Sequence, residues 1–176
     1  MKKFLLACAA VAPFATAVLA AVQEAHGGGI GYFQERCVRC HGNYGLHYDL
    51  DHLAKFPPAK LRETVTAMCE NQGDSPLTGQ ELDAQIAYHR SLTDARPYIF
   101  VIGAQQVGDK TKLRGEATPE SNVCIKIDEI SYPATLEEHT FVATIPFASD
   151  WKKAKISATL NGQITEITAG DWFSHR

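Results

Sequence analysis

Cys37, Val38, Arg39, Cys40 and His41 follow one another in the chain. Two thiols two residues apart, with an imidazole directly after the second, form the attachment signature for c-type haem. In that chemistry the Cys37 and Cys40 thiols make thioether bonds to the porphyrin vinyl groups, and His41 is an axial ligand of the iron. The spacing suits one helical turn, which presents both sulfurs to a single macrocycle edge with the imidazole beside them. Other chemistries fit less well. A structural zinc site needs two further ligands at matching spacing, and there is no second Cys-x-x-Cys. A thioredoxin-like redox pair expects a βαβ setting, which the surrounding pattern does not offer. A plain disulfide between Cys37 and Cys40 leaves His41 without a role. A single motif predicts one covalent haem c.

These residues must be carried by helices. Gly29 to Arg39 is expected to form a first helix bearing the motif. Pro58 to Glu70 reads as a second, with proline suited to the first turn and Leu61, Val65 and Met68 recurring at helical spacing. Leu77 to Leu92 reads as a third. Thr78 is its expected N-cap and Glu81 follows three residues later, as in a capping box. Leu82, Ile86 and His89 share one stripe. Three helices with a loop-rich middle make a small core, which a covalently held porphyrin would enlarge.

The compartment agrees with the motif. Lys2 and Lys3 precede an apolar stretch from Phe4 to Leu19, and Val18-Leu19-Ala20 offers a small-residue cleavage site. Residues 1–20 are expected to be a secretory signal peptide, and the protein is expected in the periplasm. Retention as a membrane anchor is the competing reading, weakened by Pro13 within the run. Membrane association is therefore expected only through an uncleaved signal segment. The formal charge of −3 is spread thinly, with seven basic and ten acidic residues over 21–96 and eight and ten over 97–176. Neither half has the basic stripe of a nucleic-acid binder.

The helical segment resembles the class I cytochrome c family. Gly29, Phe33, Cys37, Cys40, His41 and Gly42 match that family's N-terminal helix, and Leu77-Thr78-x-x-Glu81 with Ala87 to Leu92 looks like its C-terminal helix. The likeness covers residues 29–94. It implies that Gly29 lets the last helix cross closely, that Phe33 packs at the crossing, and that a methionine before the last helix is the second iron ligand. Met68 is the one methionine beyond the initiator. It is expected to be that ligand, although Cys69 follows it where the family often has proline. A core position in its helix is the plainer reading of Met68. His47, His52 and His89 are its rivals as ligand, and His26, His139 and His175 lie far from the motif in sequence.

After Arg96-Pro97 the pattern alternates with period two. Strands are expected over 98–102, 112–116, 123–130, 140–145, 155–160 and 163–167. Asn161-Gly162 is a two-residue hairpin signal. Such spacing predicts a β-sandwich. The stretch Gly115 to Ile125 resembles the strand-turn-strand of bacterial immunoglobulin-like modules, a likeness of fold alone. The fold expected is thus α + β as two domains, an all-α cytochrome c-like domain over 26–95 followed by an all-β sandwich over 97–176 that folds separately. Trp151 and Trp172 are expected in the core, with a docking patch at Trp172-Phe173 as the alternative. Cys69 and Cys124 could bridge the two domains by a disulfide in an oxidising compartment.

Residues 97–176 carry no nucleotide loop, metal-spaced carboxylate cluster or nucleophile elbow, and no enzyme activity is expected. The expected function is an exported one-electron carrier docked by its β-domain onto a protein redox partner or oxidoreductase complex. A haem-based small-ligand sensor with an open sixth site, and a structural assembly subunit, are the alternatives.

Overall fold

The computed structural model describes residues 28–77, 79–146 and 150–172. Its helices are α1 (Gly29–Arg36), α2 (Val38–His41), α3 (Leu50–Ala54), α4 (Pro58–Asn71) and α5 (Gly79–Thr93). The strands are β1 (Ile99–Val107), β2 (Lys110–Ala117), β3 (Asn122–Ile127), β4 (Ile130–Pro133), β5 (Thr135–Glu137), β6 (Thr140–Pro146), β7 (Lys155–Leu160) and β8 (Gln163–Thr168). The signal segment, His26, His175, the Thr78 cap and the Trp172-Phe173 patch lie outside the described residues, except that the backbone of Trp172 closes a short 3-10 turn.

Two antiparallel sheets form, in the orders β1-β2-β6-β5 and β4-β3-β7-β8. Alternation decides which face is buried. Val123, Ile125 and Ile127 of one sheet meet Leu113, Phe141, Ala143 and Ile145 of the other in a single core. Asn161 and Gly162 both take positive φ, 50° and 79°, and join Leu160 to Gln163 in register. The strand expected over 123–130 breaks, because Asp128 adopts φ 52° and the chain doubles back as β4. The first helix also breaks, at Cys37, into α1 and α2.

An all-α domain followed by a separate all-β sandwich does not form. The described region is mixed, five helices making up 39% and two four-stranded sheets 35%. The helices are short, and the sheets supply part of their core. Tyr98 and Phe100, leading into and lying in β1, are buried with Ile30, Phe33, Ala84 and Tyr88. The Tyr98 hydroxyl accepts from the Gly29 N–H at 3.0 Å. Glu116 of β2 is 2% exposed, and its carboxylate accepts from the N–H groups of Ile30 at 2.9 Å and Gly31 at 3.0 Å. A strand carboxylate thus satisfies the free amides at the start of α1, where the helix dipole favours negative charge.

Cys69 and Cys124 are both free thiols, the first buried and the second half-buried, so the bridge between the parts is not made. Packing, the Glu116 contacts and the Gly29–Tyr98 hydrogen bond join the parts.

Candidate functional site

The crossing of α1 and α5 sets the back of the site. A Cβ on Gly29 would lie 2.6 Å from the Ala84 carbonyl oxygen and 2.9 Å from the Tyr88 Cβ, so only glycine permits this approach. Phe33 is fully buried there, edge-on to Tyr88 with ring centroids 5.2 Å apart.

From that anchor the chain delivers the motif. The Cys37 N–H donates to the Phe33 carbonyl at 2.8 Å, ending α1. One further turn follows, closed by His41 N–H to the Cys37 carbonyl at 3.0 Å. Gly42 then turns out at φ 71°, and a Cβ there would press on the His47 ring at about 3.1 Å. The turn returns the chain over itself. The His47 N–H donates to the His41 carbonyl at 2.9 Å, and the Tyr48 ring lies against the His41 imidazole with centroids 4.3 Å apart at 30°.

A cleft of about 380 Å³ opens between this turn, α3, α4 and α5, within the usual range for small-molecule sites. Cys37, Cys40 and His41 line one side. One face of α4 lines another, through Leu61, Thr64, Val65, Met68 and Cys69, with Gln72 just after it. Leu53 and Phe56 add apolar wall. The three motif residues and Met68 are therefore brought together, on different elements around one cavity. Met68 is 38% exposed, and the buried stripe of its helix runs instead through Leu61, Val65 and Cys69. It is a cleft residue, not a core residue.

The rival histidines divide. His47 and His52 are exposed at the cleft rim, His52 with its ring 5.1 Å from that of Phe56. His89 borders the cleft but both ring nitrogens are occupied. Nδ1 lies 2.8 Å from the Gln85 carbonyl, which can only accept, so Nδ1 carries the proton. Nε2 then accepts from the Tyr48 hydroxyl at 2.8 Å. His139 sits beside Glu116 at the start of α1, not at the cleft.

The electrostatics of the motif divide, favouring a neutral imidazole at His41 and a protonated thiol at Cys37. Burial lowers the His41 pKa, and neighbouring His47 lowers it further, which favours the neutral imidazole a metal needs. Burial pushes the Cys37 thiol up to about 11, helped by Cys69 and Cys40, so it stays protonated. Burial raises Cys69 as well, while the Tyr32 hydroxyl beside it pulls the other way. Tyr32 in turn donates to the Ser75 carbonyl at 2.8 Å.

The lining of the cleft is of the chemical kind a covalently held porphyrin would need. Its walls are mainly apolar, two free thiols and an imidazole face it, and a thioether stands on α4. Gln85 on its inner wall is 1% exposed, and neither side-chain amide atom has a partner among the described residues. Buried amides left unpaired are costly, and a polar group bound in the cleft would relieve that cost. Among the described residues no group of three or more His, Cys, Asp or Glu side chains is arranged to hold a bare metal ion. No described helix is long and apolar enough to cross a membrane.

The chain matches no family model, no curated protein and no solved structure. The reading of the site therefore rests on its own residues.

Sequence reasoning missed Tyr48, Gln85 and Glu116. Tyr48 lies in a polar segment whose short helix α3 gives too few residues for a periodic signal. Gln85 shows only as a polar residue in the buried stripe of α5. Nothing in the strand alternation marks Glu116 as a partner of α1.

His89 carries a testable pH dependence. Burial pushes it from 6.5 down to about 4, with the Gln85 carbonyl pulling up and His41 pushing down. Between those values the unfolded chain takes up a proton that the folded chain refuses. The stability is thus complete above about pH 6.5 and declines as pH falls towards about 4, by up to about 3 kcal/mol. Urea unfolding of the wild type and His89→Gln at about pH 7 and about pH 4.5 should show a smaller loss in the variant. Equal losses would exclude His89 as the source.

Proposed function

We propose that this chain is an exported, periplasmic one-electron carrier of the c-type cytochrome kind, holding one haem c in the cleft between α2, α4 and α5. The single observation that carries the reading is that Cys37, Cys40, His41 and Met68 line one apolar cavity. Bound there, the haem supplies a one-electron iron couple. Cys37 and Cys40 are the thiols for the two thioether bonds, and their place on one short turn fixes the group's edge. His41 would be the iron ligand from the motif, and burial lowers its pKa in the direction that favours the neutral imidazole. Met68 would be the ligand from the opposite wall, a soft thioether that would favour the reduced metal. Leu53, Phe56, Leu61 and Val65 give the bound group apolar surroundings on one side, which would raise the potential. If His41 and Met68 both held the iron, no open metal site would remain for a substrate, and the group would serve electron transfer alone. The strands over 97–176 would add docking area for a protein redox partner or an oxidoreductase complex.

A second reading has one observation in its favour. Met68 stands within α4, not in a free loop, and is partly exposed. If its sulfur does not reach the iron, the sixth position is open and the protein is a small-ligand sensor.

Expression in a host that attaches haem outside the cytoplasm tests both. The expected product is the cleaved chain plus the mass of one haem, with colour that survives acid–acetone extraction and a low-spin spectrum. Colour lost into the solvent would overturn the assignment. Covalent haem with a high-spin spectrum would select the sensor.

A further inference from the structure

Three groups in contact lead from the interior of α5 to the motif imidazole. The His89 Nδ1–H is held by the Gln85 carbonyl of its own helix at 2.8 Å. That fixes the tautomer and leaves Nε2 as an acceptor. The Tyr48 hydroxyl donates to it at 2.8 Å. The ring of Tyr48 then packs on His41 at 4.3 Å, and Phe33 closes the other side of the cluster, 5.9 Å from Tyr48 and 6.0 Å from His89. His89 is 7% exposed, on a helix whose crossing with α1 is fixed by Gly29. The Tyr48 ring is therefore anchored at its hydroxyl end to a buried residue of α5. Its face is what His41 leans on.

The motif itself does little to fix the imidazole. Among the described residues no hydrogen bond reaches either His41 ring nitrogen, and the turn that carries it is a single one. Rotation about its side-chain bonds must be limited by packing. Partners outside the ligand set commonly fix the ring plane of a ligating histidine and thereby tune the metal.

We propose that Tyr48 and His89 are positioning residues for His41. His89 holds the Tyr48 hydroxyl, and the Tyr48 ring sets the plane of the His41 imidazole. This rests on the haem assignment above, in which His41 is an iron ligand. It goes further in naming two residues outside the motif that set how that ligand is oriented.

The experiment has two arms. In the haem-bound protein, the four porphyrin methyl resonances of the oxidised form report the plane of the axial imidazole. Tyr48→Phe keeps the ring and removes the hydroxyl; His89→Leu removes the acceptor; His89→Gln restores both a donor towards Gln85 and an acceptor towards Tyr48. Tyr48→Phe and His89→Leu are expected to reorder or compress the methyl pattern and shift the midpoint potential, and His89→Gln to return both towards wild type. A wild-type methyl pattern and potential in both of the first two variants, with haem attached and low-spin, would overturn the proposal while leaving the haem assignment standing.

The second arm uses haem-free protein. There the His41 ring protons should be displaced upfield by the Tyr48 ring, and the displacement should shrink in His89→Leu and vanish in Tyr48→Leu. An unchanged His41 shift in Tyr48→Leu would sink the positioning role. Displacement as expected, in a protein that never acquires covalent haem, would fault the haem assignment instead.

Discussion

A chain ending at Ala95 is expected to lose its fold. The shortened protein keeps α1 to α5 but loses two buried aromatics, Tyr98 and Phe100, each 2% exposed in the whole protein. Each is worth about 1.5–3 kcal/mol of burial. It also loses Glu116, whose carboxylate serves the Ile30 and Gly31 amides. Hydrogen bonds to a charged group contribute about 1.5–3 kcal/mol each. Even after discounting for overlap, the loss is several kcal/mol, against a total of about 5–15 kcal/mol for an ordinary domain. A helical layer of this size has little to spare. The truncated chain should show weak near-ultraviolet circular dichroism and no cooperative unfolding. In the full chain, Glu116→Gln should cost about 1–3 kcal/mol while leaving unfolding cooperative. A truncated chain that unfolds cooperatively near the full-length midpoint would show that the helices need no strand to complete them.

Met68→Ala is expected to convert the low-spin spectrum of the haem-bound protein to a high-spin or His-substituted one and to lower its potential. The weak band near the red edge that marks sulfur–iron coordination should disappear. The haem-free fold should hardly notice. Met68 is 38% exposed and lies in the interior of α4, where alanine is a better helix former, so the stability change should stay within about 1 kcal/mol. That separation of effects makes the substitution informative, since a spectral change without destabilisation cannot come from unfolding. An unchanged spectrum would remove Met68 from the iron. His47 and His52, both at the cleft rim, would be next to replace. His89 would come last, because its two ring nitrogens are already engaged.

What the sequence determined by itself is local. Alternation in Val123, Ile125 and Ile127 marks a buried strand face, and the observed burial of 2%, 0% and 8% follows it. The long helices α4 and α5 are periodic over enough residues to be legible. Asn161-Gly162 specifies its turn through two left-handed backbone conformations. The spacing of Cys37, Cys40 and His41 places three groups on one turn, because neighbours in sequence are neighbours in a helix. Short elements escape such reasoning. Leu50–Ala54, Ile130–Pro133 and Thr135–Glu137 have too few residues to establish a period.

The relation between the two halves was decided only by tertiary structure. Periodicity changes sharply at Arg96-Pro97, and a change of pattern looks the same whether the parts fold separately or share a core. Tyr98 and Phe100 belong to both patterns, as apolar residues of a strand and as the floor under α1 and α5. The Glu116 contact with Ile30 spans 86 residues, and the Tyr48 contact with His89 spans 41. A hydrogen bond at that separation depends on where the backbone brings two atoms, to within a few tenths of an ångström. No local preference carries that information. The cleft is likewise a product of assembly, since Met68 reaches it only through the rotation of α4, which Leu61, Val65 and Cys69 fix by burying the adjacent face.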